Sequence, residues 1–190
     1  ATGAEGGYIS RHHDHVFQGE GAFGGVYDIT DPSAIEQVGE FLLPGDLDTV
    51  SPLGNVAAVS VDHGARDGTS TILVPWQAQV DTRGPTAEWF RPADGQLGVG
   101  AGSAIGLSFD EAIEGRSVHA GSVRVATHRG EAVPGRFYTQ ETLVNFVPDE
   151  PLEPDTTYTV TVPAGGVADV VGNPTEVELV FAFATGDRLR

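Results

Sequence analysis

The C-terminal half of the chain alternates apolar residues with polar or small ones. A period of two predicts β-strands that bury one face and expose the other. Turn-forming residues separate the alternating segments at short intervals, which is typical of a β-sandwich. The apolar positions are Ile105, Leu107 and Phe109; Val123 and Val125; Val144 and Phe146; Tyr158, Val160 and Val162; and Leu179, Phe181 and Phe183.

The N-terminal half also predicts strands, but with a less regular pattern. Strands are expected at residues 8–10, 25–30, 38–43, 56–61 and 70–74. Residues 11–21 are polar and contain glycine, which favours a connection rather than a strand. Proline and glycine punctuate residues 77–100 heavily, and residues 91–95 (RPADG) read as the turn before a new domain. We therefore predict two domains, residues 1–85 and 86–190.

Residues 86–187 carry several motifs in a fixed order. The motifs are PADG at 92–95, IGLSFDE at 105–111, VNFVP at 144–148, PLEPDTTYTV at 151–160, DVVGNP at 169–174 and FAFATG at 181–186. Together they resemble the bacterial Ig-like domain of the S-layer (SbsA) type, which implies a seven-stranded β-sandwich used as a spacer, stalk or adhesion module. The fold alone does not fix the function.

Two local motifs in this half have structural interpretations. Leu152, Pro154 and Tyr158 form a leucine, a proline turn and a tyrosine that opens a strand. This arrangement looks like the tyrosine corner of Greek-key sandwiches, in which the tyrosine hydroxyl bonds to backbone a few residues upstream. Asp169 and Asn173 lie in one loop, where their side chains are expected to satisfy backbone groups. A calcium ion at Asp169 is the alternative.

Three segments of the N-terminal half have a different likeness. Residues 24–32 (GGVYDITDP), 38–41 (VGEF) and 54–59 (GNVAAV) resemble the LVIVD repeats of β-propeller blades. A propeller needs at least about four blades of four strands, so this half cannot close a ring. Its open sheet edges are expected to pair with another polypeptide, either the rest of a propeller or an assembly partner. The predicted fold is thus all-β: an incomplete propeller-like antiparallel sheet, then a seven-stranded Ig-like sandwich.

Composition and charge exclude several function classes. The net charge is −17, and the basic residues form no cluster, so we expect no nucleic-acid partner. No stretch approaches the roughly 20 apolar residues that span a bilayer. The chain has no cysteine, which excludes disulfides and a thiol nucleophile. It also has no methionine, which favours a processed chain or a fragment. We expect an extracellular or cell-surface bacterial location.

The segment His12-His13-Asp14-His15, with Glu20, is the one dense group of potential metal ligands. In a strand, His13 and His15 would face one side and share zinc or a similar ion, with Asp14 and Glu20 as further candidates. Adjacent histidines in a strand point apart, and a closed site would need His63 or Asp62 as well. The alternative is a polar surface or ring-facing loop.

No catalytic constellation is visible elsewhere. The chain has no Gly-x-Ser-x-Gly elbow, and neighbouring carboxylates such as Asp110 and Glu111 point apart in an extended chain. The acidic segments 46–48 and 62–67 are expected to be loops, and neither matches a calcium loop. We expect no catalysis and no obligatory cofactor, with calcium or a transition metal as an option.

The sequence favours a non-catalytic structural or interaction segment of a larger secreted or cell-surface bacterial protein, acting as a spacer, adhesion or assembly module. Two alternatives remain. One is the C-terminal tail of an extracellular metal-dependent enzyme, in which the segment around His13 supplies ligands. The other is a calcium-stabilised adhesin.

Overall fold

The computed structural model describes residues 8–63 and 70–187, without the side chains of residues 20, 22, 43, 44, 62 and 63. The chain divides into two compact units, residues 1–82 and 83–190. The described residues form twelve β-strands and one short 3-10 helix at Gly115–Ser117, so the predicted all-β class is confirmed. No helix among these residues is long and apolar enough to cross a membrane.

The first unit is one antiparallel sheet in which each strand pairs with its neighbours along the chain. Its strands are β1 (Ile9–His12), β2 (His15–Asp28), β3 (Glu36–Leu53), β4 (Val56–His63) and β5 (Thr71–Pro75).

Strand β2 bends back on itself. A fully extended strand of this length would span about 46 Å. Nevertheless, the Ile29 amide just after β2 donates to the Asp14 carbonyl just before it, at 2.8 Å. The bend lies where the pairing register with β3 shifts, between Gly21 and Phe23. Gly21 has a φ of 59° there, which glycine adopts without strain. The sheet therefore curls around its own buried face.

Among the described side chains, that buried face holds one apolar cluster. Strand β4 shows how the alternation builds it, because Ala57, Val59 and Val61 point inward while the residues between them do not. Trp76, after β5, packs against the same cluster. The buried members are Phe17, Val26, Phe41, Leu47, Val50, Ala57, Val59 and Val61.

Two segments expected to be loops are strands instead. Most of the predicted connection 11–21 belongs to β1 and β2, and residues 46–48 lie within β3, with Leu47 buried. The glycines misled the prediction: a Cβ on Gly19 would lie 3.2 Å from the Thr49 backbone nitrogen, so this glycine permits close strand packing. Residues 64–67, the end of the acidic segment 62–67, lie outside the described residues.

The described part of the second unit, residues 83–187, forms seven strands in two sheets. The strands are β6 (Ala87–Arg91), β7 (Ile105–Phe109), β8 (Arg124–Thr127), β9 (Gly135–Gln140), β10 (Leu143–Pro148), β11 (Thr157–Val162) and β12 (Leu179–Ala184). One sheet has the order β6-β7-β10-β9, and the other has the order β12-β11-β8.

Both sheets contribute to one core. Leu107 and Phe146 from the first sheet share a buried cluster with Val160 and Phe181 from the second. The alternation located five of these strands; it missed β6 and β9, which lie at the edges of their sheet and are largely exposed. The turn at 91–95 follows β6, so it lies inside this unit rather than before it. The sequence placed the domain boundary between residues 85 and 86, whereas the division falls after Thr82.

Candidate functional site

A tight hairpin turn organises the histidine-rich segment of the first unit. Strands β1 and β2 pair His12 with His15, which leaves His13 and Asp14 as the two turn residues. His13 has a φ of 50°, a left-handed conformation that is uncommon for residues other than glycine, although histidine, asparagine and aspartate adopt it more often than the rest. The Arg11 guanidinium donates from Nε to the His13 carbonyl at 2.8 Å and braces this turn.

The turn brings two neighbouring imidazoles to one carboxylate. The ring centroids of His12 and His13 are 4.4 Å apart. His12 Nε2 lies 3.4 Å from Asp81 Oδ2, and His13 Nε2 lies 3.8 Å from Asp81 Oδ1. The three side chains are 3 %, 12 % and 5 % exposed, in the order His12, His13 and Asp81. We call these three residues the His–Asp cluster.

Trp76 connects this cluster to the apolar core of the unit. Its ring meets His12 edge-on, with centroids 5.8 Å apart, and contacts Phe17 in the same way at 5.1 Å. Its indole Nε1 donates to the Gly54 carbonyl at 2.7 Å, which fixes the ring. The position of the imidazoles is therefore set by packing as well as by the hairpin.

His15 belongs to the same surroundings but not to the cluster. Its ring packs against Trp76 with a centroid separation of 4.9 Å. Burial lowers the pKa of His15, while the carboxylates of Asp28 and Asp14 oppose that shift. The neutral form of this imidazole is therefore favoured.

The residues predicted as metal ligands separate into different environments. His13 joins the cluster, Asp14 is exposed in the turn, and His15 lies on Trp76. The side chains of Glu20, Asp62 and His63 are outside the described residues. The shared face expected for His13 and His15 required a strand through His13, and the positive φ ends the strand there.

Two cluster residues were missed from the sequence. His12 was set aside because adjacent residues of a strand point apart, a rule that fails where the chain turns at His13. Asp81 is distant in sequence and belongs to none of the named strands, so no local pattern marks it. Only the folded arrangement brings it to the histidines.

In the second unit, the predicted tyrosine motif makes internal contacts. The Glu153 amide donates to Tyr158 Oη at 2.7 Å, and the Tyr158 ring stacks on Phe183 with centroids 5.5 Å apart. Burial raises the pKa of the Tyr158 hydroxyl above its ordinary value. Leu152 is buried in the core, and the Pro154 carbonyl accepts from Thr156 Oγ1 at 2.9 Å.

Asp169 stabilises its own loop. Its side chain is fully buried, and Oδ1 accepts from the backbone amides of Val171, Gly172 and Asn173 at 2.9, 2.6 and 2.8 Å. Oδ2 accepts from Asn173 Nδ2 at 2.9 Å. These carboxylate oxygens face N–H donors, so a calcium ion at Asp169 would have to displace them.

Other buried polar side chains of this unit also bond to its own residues. Asp110 accepts from the Thr86 amide at 2.7 Å and from Arg83 at 2.9 Å. Ser122 donates to the Ser117 carbonyl at 2.6 Å, and Thr175 donates to the Pro163 carbonyl at 3.1 Å. These contacts serve the fold, since each joins a buried polar atom to nearby chain.

Several solved structures resemble part of the chain. An L,D-transpeptidase from Mycobacterium smegmatis is 23 % identical, with a TM-score of 0.40, over 54 % of this chain and 40 % of that one. L,D-transpeptidase 3 from Mycobacterium tuberculosis, in complex with a faropenem-derived adduct, is 21 % identical, with a TM-score of 0.36, over 53 % and 37 %. This chain thus spans less than half of either protein, and the likeness assigns it no activity. Curated proteins give no match.

One family accounts for the second unit. The family described as "Bacterial Ig-like domain" (Big_5) matches residues 81–185, which is more than half of the chain. This match confirms the Ig-like prediction, while the S-layer type and the LVIVD likeness stay predictions. The two sheets that share one core agree with it. The chain therefore belongs to the bacterial Ig-like domain family.

Proposed function

We propose that this chain is a non-catalytic structural and interaction segment of a larger secreted or cell-surface bacterial protein. One observation carries the proposal: four buried polar residues of the Ig-like unit bond to that unit's own chain, namely Asp110, Ser122, Asp169 and Thr175. A catalytic site needs polar groups aimed at a ligand, whereas these groups brace loops and strand ends. Bacterial Ig-like domains also occur in surface proteins.

The Ig-like unit supplies the properties of a spacer. Its core is enclosed by two sheets, so it can be joined to further domains without exposing apolar surface. The net charge of −17 keeps the chain soluble outside the cell. The S-layer likeness of residues 92–95, 105–111 and 181–186 supports the same setting. Protease treatment of intact producing cells tests the cell-surface location: the parent protein should be cleaved while the cells stay whole.

The sheet of the first unit supplies the interaction surface. Its terminal strands are β1 and β5, and each pairs with one neighbour among the described strands. Leu73, in the middle of β5, is 66 % exposed. Unpaired edges accept strands from other chains. We infer that a strand of another polypeptide, such as the rest of a propeller suggested by the LVIVD likeness, adds to β5.

Hydrogen exchange of the full chain, combined with light scattering, tests this pairing. We expect the outward-facing amides of β5 to exchange rapidly in the purified monomer and slowly in the assembled parent protein. Leu73→Lys should weaken assembly. The matched control is Val147→Lys, an exposed position on the central strand β10, which should leave assembly unchanged. A monodisperse monomer with a fully protected N-terminal half would contradict the proposal.

The His–Asp cluster favours a second candidate function, the tail of an extracellular metal-dependent enzyme. Two imidazoles and a carboxylate around one point are a common ligand set of catalytic zinc. In that case, His13→Asn would abolish an activity of the longer parent protein. The structural proposal expects this substitution to leave the parent's assembly on the cell surface intact.

The calcium-stabilised adhesin finds no support at Asp169, because its oxygens accept hydrogen bonds from the loop. A ligand that binds only the folded state raises apparent stability. A Tm that is equal in calcium and in chelator would end that alternative.

A further inference from the structure

We propose that the His–Asp cluster binds a divalent transition metal, with zinc as the preferred ion. The proposed ligands are His12 Nε2, His13 Nε2 and one carboxylate oxygen of Asp81, which all lie within 4.8 Å of one another. This proposal concerns the first unit alone. It therefore stands whether or not the chain is a surface module.

The distances within the cluster are near those of ligands around an ion. Bonds of 2.0–2.1 Å in tetrahedral geometry place neighbouring ligand atoms about 3.3–3.5 Å apart. His12 Nε2 lies 3.4 Å from Asp81 Oδ2, and His13 Nε2 lies 3.8 Å from Oδ1, the other oxygen of that carboxylate. With one ligand atom from each residue, the three atoms lie within 4.8 Å of one another. A small movement of the imidazoles toward one carboxylate oxygen would bring the three atoms to ligand distances.

The backbone holds this arrangement before any ion arrives. His13 keeps a φ of 50°, which costs conformational energy for a residue with a side chain. Arg11 bonds to the carbonyl of the same residue, and Trp76 contacts the ring of His12. A strained turn is retained when the surrounding structure determines it, and such turns concentrate at functional sites. Here the left-handed turn at His13 brings both imidazoles next to the Asp81 carboxylate.

The ligand chemistry selects the class of ion. Imidazole nitrogens suit zinc, copper, nickel and iron, whereas calcium and magnesium prefer oxygen ligands. The net charge of −17 raises the local concentration of cations around the chain.

Metal titration of the full chain, purified without a histidine tag, tests the site. Isothermal titration with zinc at pH 7.5 should give one site per chain, and the cobalt(II) adduct should show a tetrahedral absorption spectrum. Asp81→Asn and His13→Asn should each weaken zinc binding by at least about 100-fold, because even outer-shell losses cost 10–100-fold. Asparagine is chosen at position 13 because it tolerates a positive φ.

His128→Gln is the matched control, because His128 lies exposed in a turn of the second unit. It should bind zinc as the wild type does. Trp76 emission and far-UV circular dichroism should be unchanged in the Asp81 and His13 variants, which separates ligand loss from unfolding. If the wild type takes up no stoichiometric zinc or cobalt, or if folded Asp81→Asn binds as tightly as the wild type, the proposal is overturned. Either outcome would mean that the histidines and Asp81 share protons and bind no metal.

Discussion

The two units protect their apolar residues in different ways. The Ig-like unit places two sheets over one core with seventeen buried hydrophobic residues. The described residues of the first unit form one sheet with eight buried hydrophobic residues, which are enclosed because β2 bends. Hydrophobic stabilisation scales with buried apolar area, so the first unit has less to offset its conformational entropy. We expect the first unit to be the weaker one.

The units also use buried polar groups differently. In the Ig-like unit, Asp169 and Ser122 bond to nearby backbone, which stabilises loops and strand ends. In the first unit, His12, His13 and Asp81 converge on one point from a strained turn. The buried polar groups of the Ig-like unit thus stabilise its fold, whereas those of the first unit form the His–Asp cluster beside a smaller core. This contrast yields the following predictions.

The largest effect is expected from Phe17→Ala. Phe17 is fully buried in the smaller core and contacts Trp76. Truncation of a buried phenylalanine costs about 3–5 kcal/mol, a large share of the stability of a small domain. We expect the first unit to unfold while the Ig-like unit stays folded. Trp76 emission in a Trp89→Phe background reports on the first unit, since these are the two tryptophans of the chain.

Phe181→Ala provides the matching change in the larger core. Its local cost is similar, at about 3–5 kcal/mol. The Ig-like unit should nevertheless remain folded, because more buried area supports it. Hydrogen exchange of β11 should therefore stay slow in this variant. Equal loss of protection in both variants would show that the two cores are equally robust.

Asp169→Ala should destabilise the Ig-like unit by about 3–4 kcal/mol, because the loop loses every hydrogen bond that this buried carboxylate accepts. Val171, Gly172 and Asn173 donate those bonds. Urea unfolding followed by near-UV circular dichroism measures the change. Trp76 emission should not respond, since Asp169 serves the other unit.

Asp149→Ala is the control for that experiment. Asp149 forms an exposed ion pair with Arg136 at 3.4 Å. Exposed pairs contribute about 0–1 kcal/mol, so this substitution should barely move the urea midpoint. A loss comparable to that of Asp169→Ala would show that removal of any acidic residue, rather than the loop hydrogen bonds, lowers stability.

The same contrast explains how much of the fold could be predicted. Where one face of a strand is buried, as at Leu107, Val160 and Phe181, the alternation located the strand. Gly19 in the first unit was interpreted as a turn residue because its role depends on the approach of Thr49 from another strand. Close strand packing is a tertiary property, and glycine content alone does not distinguish it from a turn.

The site was predicted only in part, for a related reason. The histidine-rich segment drew attention to His13, but the choice of partners assumed a straight strand. Because His13 has a positive φ, its side chain lies beside that of His12 rather than on a shared strand face with His15. Asp81 lies outside the named strands, and no pattern near it predicts contact with His12. Local periodicity therefore identifies buried faces better than it identifies converging side chains.

A smaller effect is expected from Tyr158→Phe. The substitution keeps the ring on Phe183 and removes the acceptor of the Glu153 amide. Loss of one such bond costs about 1–2 kcal/mol. The urea midpoint of the Ig-like unit should fall with an unchanged m-value. Tyr138→Phe, at an exposed position of β9, should change stability by less than about 0.5 kcal/mol.

The smallest expected effect is a change at alkaline pH in the stability difference between the wild type and Tyr158→Phe. Burial raises the pKa of Tyr158 above 10.0, so the unfolded chain loses this proton at lower pH than the folded one. The stabilisation from the neutral hydroxyl is complete below pH 10 and is lost as pH rises through the folded pKa. Phenylalanine cannot titrate, so the stability gap between the wild type and Tyr158→Phe should narrow above pH 10. Urea unfolding at pH 8 and pH 11 measures the gap. A constant gap would mean that the hydroxyl ionises equally easily in both states, and that the Ig-like core excludes solvent less well at this corner than its contacts indicate.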